Sequence, residues 1–204
     1  YKVLKVIIIQ FSPIRSGSTL VYNYLLELGK ASLKHHNYHK NDKTYYVITI
    51  RHPYDAIISS ILRYDQDINV DTIENHINEY LVNGVEDIIH YDFTSNNHCV
   101  LFYEDFLNNH NIILNKFELF FNEKYTLELR NKIMSKLHIE TVKQKIIEND
   151  YKKFSDYDIK SHLHGKHISK YNGNTDHKVI LNNNELDLLK SNKKLSRIIE
   201  KYYN

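Results

Sequence analysis

The feature that most constrains this chain is a continuous apolar run that ends in a tight polar loop and restarts as a helix. Residues 3–10 hold Val3, Leu4, Val6, Ile7, Ile8 and Ile9, broken by Lys5 and closed by Gln10. A β-branched run of this kind suits a strand covered on both faces, as in a parallel sheet between helices. The loop Ser12-Pro13-Ile14-Arg15-Ser16-Gly17-Ser18 follows. Residues 19–28 then read as a helix with Leu20, Tyr24, Leu25 and Leu28 on one face and Gly29 as its C-cap.

The unit repeats. A second strand over 45–50 ends in Arg51-His52-Pro53, and Pro53 opens a second helix, where its missing N–H costs nothing. Asp71 with Glu74 predicts a capping box for a helix carrying Ile73, Ile77, Tyr80 and Leu81. A third strand over 98–102 runs into Tyr103-Glu104-Asp105 and then a helix through Phe117 and Phe120. Beyond it, 125–155 is helical and charged, 161–178 is a basic Gly-containing loop, and 185–202 reads as a closing helix. Strands alternating with helices predict an α/β fold, a three-layer αβα domain with a central parallel sheet, here one domain over 1–204. Such sheets bind ligands beyond the carboxyl ends of their strands, and the unusual residues cluster there.

Composition narrows the classes. With 42% hydrophobic and 25% charged residues the chain is ordinary globular material. A formal net charge of +2 makes no case for a nucleic-acid partner, while 13 histidines allow a locally positive cleft. Cys99 stands alone, in the apolar run 99–102, so it reads as a core residue, excludes an internal disulfide and fits a reducing compartment. No stretch approaches the roughly 18 apolar residues of a membrane span, and a cytoplasmic location is expected. The first residue is Tyr1 and not Met, which leaves room for a trimmed upstream segment, an anchor included. Oligomeric state is unreadable.

Arg15-Ser16-Gly17-Ser18-Thr19 joins a buried strand to a helix N-terminus, where free amides and the helix dipole seat an anion. Gly17 permits close backbone approach, three hydroxyls add donors, and Arg15 adds a permanent cation. A Walker A loop requires Gly at position 12 and Lys at 18; this chain has Ser12 and Ser18, which disfavours ATP or GTP. The second constellation is Arg51-His52-Pro53-Tyr54-Asp55-Ala56-Ile57-Ile58-Ser59. A guanidinium at the strand end and a hydroxyl in the next helix lie on one rim and suit one phosphate.

Together these segments resemble the PAPS-dependent sulfotransferases. Pro13 to Thr19 resembles that family's 5′-phosphosulfate loop, P-[KR]-S-G-[ST]-T, with one extra residue after the Pro. Residues 51–59 resemble its 3′-phosphate motif, R-x-P-x-D-x-x-x-S, with Arg51, Pro53, Asp55 and Ser59 in register. The chain's two prolines both fall inside these motifs. Val100 to Phe106 resembles the family's third strand and its Y-E-D ending. The resemblance implies a P-loop-NTPase-like sulfotransferase fold, PAPS as co-substrate, no metal, and a hydroxyl-bearing acceptor of unknown class. It further implies Arg15, Ser16, Gly17, Ser18 and Thr19 on the 5′-phosphosulfate, Arg51 and Ser59 on the 3′-phosphate, and Tyr103 by the adenine. Leu20 stands where many members carry a stacking Trp.

An attacking hydroxyl must lose a proton, and imidazole is the natural base. Lys34-His35-His36 overlays the family's K-T-H, which makes His36 the first candidate, then His35, then His39. The segment is short: His36 precedes Arg51 by 15 residues. In the basic loop, Lys166 and Lys170 are candidates to close over the 3′-phosphate. Alternatives are a catalytically weak or inactive adenosine-bisphosphate-binding protein, a P-loop-type nucleotide kinase, or, weakest, a nucleic-acid binder. Acceptor choice falls to the loops within 60–98 and 125–165.

Overall fold

The computed structural model describes residues 7–30, 33–38, 40–41, 43–149, 158–163, 165 and 175–204. Its centre is a four-stranded, all-parallel sheet in the order β2-β1-β3-β4, made of Ile7–Phe11 (β1), Leu33–His35 (β2), Thr44–Ile50 (β3) and His98–Phe102 (β4). β1 pairs Ile9 with Leu33 on one side and Ile9 with Tyr46 on the other. β3 pairs Ile48 with Val100.

Alternation along β3 separates two cores. Tyr46, Ile48 and Ile50 pack on one face with Phe11, Ile57, Ile61, Ile77, Leu189 and Ile198. Val47 packs on the other with Val21, Leu25, Leu101, Leu114, Phe117 and Ile133. The first face is covered by Pro53–Arg63 (α2), Val70–Tyr80 (α3), Glu86–His90 (α4), Asn183–Ser191 (α10) and Lys193–Tyr202 (α11). Ser18–Glu27 (α1), Asn111–Phe121 (α6) and Leu127–Lys136 (α7) cover the second. The three layers are therefore as expected. Cys99 is buried in the second core, and burial pushes its thiol up to about 12, so it behaves as a small apolar residue.

Four local expectations change. β2 is a strand that the sequence reading does not assign: at three residues, with Leu33 exposed at the sheet edge, it has too little pattern to show itself. The box on α3 is Asn69 with Thr72, not Asp71 with Glu74. Asn69 Oδ1 accepts from the Thr72 amide at 3.0 Å, so the helix starts early and Asp71 falls inside its first turn. The closing helix is two, because Asn192 turns extended and accepts from the Lys194 and Leu195 amides, capping α11 afresh. Finally, α1 begins at Ser18 and ends at Glu27 with Leu28 as its C-cap, and Gly29 follows as the left-handed residue at φ 68°. No helix among the described residues is long and apolar enough to cross a membrane.

Candidate active site

The strand order puts the topological switch between β1 and β3: the chain leaves β1 toward β2 and leaves β3 toward β4. Beyond the carboxyl ends of such a pair the connections diverge and open a crevice. A cavity of about 730 Å³ lies there, lined by the residues that follow β1 and β3.

The loop after β1 holds two left-handed residues, Arg15 at φ 61° and Gly17 at φ 81°. Gly17 is the N-cap of α1, and a Cβ there would stand 2.6 Å from the Tyr103 ring. Ser16 faces inward. Its Oγ donates to the Pro13 carbonyl at 2.7 Å and shares a 3.0 Å hydrogen bond with Thr49 Oγ1. Of the three hydroxyls expected on the ligand, it is the one that does not line the cavity; Ser18 and Thr19 do. Thr19 Oγ1 accepts from Lys34 Nζ at 2.8 Å.

Arg15 reaches across to α2, where its Nε and Nη2 donate to Ser59 Oγ at 3.2 and 3.1 Å. Arg51 is 3% exposed. It donates to the Arg15 carbonyl at 3.2 Å and to Thr175 Oγ1, and its guanidinium carbon lies 4.2 Å from the Tyr103 ring centroid. Burial, then the neighbouring Arg63 and Arg51, pulls Arg15 down to about 10, which leaves it charged at neutral pH. Burial and Arg63 likewise pull Lys34 down to about 8. Four cations, Arg15, Lys34, Arg51 and Arg63, line the cavity, and no carboxylate among the described residues does. Such a set is short of anions and built to receive one.

His36 also lines the cavity. Its Nδ1 sits 2.8 Å from the Ser12 carbonyl, which only accepts, so Nδ1 carries the proton and Nε2 keeps the lone pair. Burial lowers its pKa below the usual imidazole value; the Ser12 bond opposes, and Lys34, His35 and Arg63 add to the fall. His35 is exposed on β2 and outside the cavity lining. His39, Lys166 and Lys170 lie outside the described residues.

The backbone around His36 is held from α3 to α4. That connection bends at Gly84, with φ 88°, and a Cβ there would fall 2.3 Å from the His36 carbonyl oxygen. Asp87 accepts from the Tyr38 amide at 2.8 Å. A side chain at position 84 would therefore displace the backbone that carries His36.

Sequence reasoning missed Thr175, Arg63 and the bond from Lys34 to Thr19, all of which depend on long-range packing. It also missed a cluster of His52, Asp55 and His177, whose ligating atoms lie within 4.8 Å of one another. No metal-ligand spacing exists in the sequence because position 177 arrives from a distant segment. The two imidazoles stack at 7° with centroids 4.6 Å apart, so their in-plane lone pairs run parallel and do not converge on one ion. Asp55 Oδ1 is already engaged by the His177 backbone amide at 2.8 Å and by His177 Nδ1 at 2.7 Å. The arrangement fits a hydrogen-bonded clasp better than a metal centre. It fastens the segment carrying Thr175 to α2.

No family model matches the chain, and no curated protein matches it. Among solved structures, mouse sulfotransferase SULT7A1 complexed with PAP superposes with a TM-score of 0.64 at 13% identity, over 98% of this chain and 89% of that one. The parallel sheet flanked by helices thus matches the fold of that mouse protein.

Proposed function

We propose that the chain is a sulfotransferase that takes a sulfuryl group from PAPS and moves it to a hydroxyl acceptor. The observation that carries this is the cavity itself: Arg15, Lys34, Arg51 and the Ser18, Thr19 and Ser59 hydroxyls at the β1/β3 switch, with no carboxylate among the described lining residues. A nucleotide with phosphate at both ends of its ribose matches that donor set, and the mouse protein of the same fold is complexed with PAP. Gly17 holds the loop in this shape, because its left-handed φ and the Tyr103 ring, 2.6 Å from where a Cβ would stand, admit glycine there. The serine at position 18, where a phosphate loop for ATP needs lysine, argues against a kinase.

Bound PAPS supplies an activated sulfuryl group on a phosphate leaving group. Arg15, Lys34 and the first amides of α1 hold the 5′ end and stabilise the charge that grows there as the group departs. Arg51 and Ser59 hold the 3′-phosphate, with Thr175 bracing the guanidinium. His36 accepts the acceptor's proton at Nε2, and its lowered pKa keeps it neutral and ready at pH 7. Lys166 and Lys170 are proposed to close over the 3′-phosphate.

Calorimetric titration with adenosine 3′,5′-bisphosphate, against ATP with Mg²⁺, tests the proposal. Tight bisphosphate binding with weak ATP binding is expected. Binding of ATP alone would promote a kinase instead, and bisphosphate binding without turnover on any acceptor would leave only a binding protein.

A pH profile follows from the same groups. In the free enzyme kcat/KM should fall on the acid side below the usual imidazole range, as His36 protonates, and on the alkaline side near pH 8, as Lys34 loses its charge. Lys34→Arg should move the alkaline limb upward, since guanidinium stays charged. An alkaline limb unmoved in that variant removes Lys34 from the scheme.

A further inference from the structure

Arg63 is the cation that the donor does not account for. It lies one turn beyond Ser59 on α2, on the same helix face, and lines the same cavity. Ser59, Arg15 and Arg51 form one cluster, and Lys34 bonds Thr19 at the start of α1. Arg63 and His36 line the same cavity, and the charge of Arg63 depresses Arg15, Lys34 and His36 alike. The Tyr64 ring centroid lies 5.9 Å from its guanidinium carbon, and Glu79, paired with His76 Nδ1 at 3.0 Å, adds a neighbouring negative charge.

The two sides of the cavity differ in kind. Leu20, Tyr103, Phe106, Met134 and Leu137 belong with the core on the α1 side and offer a flat base apolar walls. Ile14 is the apolar lining residue that packs with the other core, and Lys34, His36 and Arg63 line the cavity with it. An aryl acceptor needs apolar surface around its ring, whereas a sugar is held by polar groups.

Resting on the sulfotransferase reading, we propose that the acceptor is an acidic saccharide, its hydroxyl at His36 and its carboxylate or sulfate group on Arg63. In the transfer the hydroxyl oxygen bonds to sulfur as the bond from sulfur to the 5′-phosphate oxygen breaks. The proton passes to His36, and the bonding electrons leave with the adenosine bisphosphate.

The test is sulfuryl transfer from PAPS to matched disaccharides: one with a uronic carboxylate, one already sulfated, one neutral, and beside them an acidic tyrosine peptide. At least one acidic disaccharide should exceed the neutral one by about tenfold or more in kcat/KM, and the two acidic arms distinguish carboxylate from sulfate. Arg63→Ala should erase that preference mainly through KM, and Arg63→Lys should retain part of it. Bisphosphate affinity should stay within about twofold in both variants, because Arg63 is separate from the 3′-phosphate clamp. A neutral saccharide or the tyrosine peptide preferred, or a preference unchanged in Arg63→Ala, overturns the inference. So does a protein that binds bisphosphate yet accepts no acidic saccharide. Failure to bind bisphosphate at all strikes the sulfotransferase reading first, and the acceptor with it.

Discussion

Turnover of Arg15→Ala should fall by roughly 10²–10³ at saturating PAPS, the usual cost of removing one well-placed donor to developing charge. Arg15 is the cation on the loop between β1 and α1, held in a left-handed turn that aims its guanidinium over the cavity at Ser59. That position costs about 1–2 kcal/mol of backbone strain in any residue with a Cβ, so alanine inherits the strain without the charge. The fold should survive, because the contact that Arg51 makes to residue 15 is to its carbonyl, which alanine keeps. Near-ultraviolet circular dichroism and bisphosphate titration confirm an intact pocket before turnover is compared. Arg15→Lys should fall between, with charge but no fork. Turnover of the alanine variant within a few-fold of the parent would remove Arg15 from the chemistry.

Arg51→Ala should cost roughly 2–5 kcal/mol of bisphosphate binding, a factor of roughly 30 or more in Kd. Among the described residues, the Arg15 carbonyl, Thr175 Oγ1 and the Tyr103 ring meet at this side chain. Removing it therefore deletes the proposed phosphate donor and also frees the loop, the C-terminal segment and the ring from one another. Lysine cannot restore this, since a single ammonium does not span partners lying in three directions. Ser59→Ala, which removes one hydroxyl, should weaken binding by only about 1 kcal/mol. Calorimetry on the three variants orders them. An Arg51→Ala protein that binds within a few-fold of the parent would place the 3′-phosphate elsewhere.

How much of this was legible in the chain depended on sequence distance. The two strand-to-helix junctions could be read because each is a contiguous segment: apolar run, turn residues, cap, helix. Arg15, Gly17, Ser18, Thr19, Arg51 and Ser59 came with them, and all six line the cavity. Ser16 was assigned to the ligand by its type, yet its hydroxyl turns to Thr49 on β3, a residue that looks like any β-branched strand position. Nothing in the sequence sets Arg63 apart from any other charged residue at a helix end, and the fold is what brings that end to the cavity. Thr175 contacts Arg51 across 124 residues, a separation no local pattern bridges. The cap at Asn69 was missed because Asp71 and Glu74 have the right spacing two residues on, and the choice between the two registers is made by how α3 packs against α2.

The clasp between His177 and Asp55 also bears on when the protein becomes competent during synthesis. Leu189, Leu195 and Ile198 fill the same core as Phe11 and Ile48, and Thr175 braces Arg51 from just ahead of them. A growing chain that has already emitted both strand-to-helix loops would hold neither the finished core nor the braced arginine. Ribosome-bound chains halted before residue 175 should fail to be retained on immobilised adenosine 3′,5′-bisphosphate. Chains that have cleared the exit tunnel past residue 198 should be retained, so nucleotide capture reports completed folding of the nascent polypeptide.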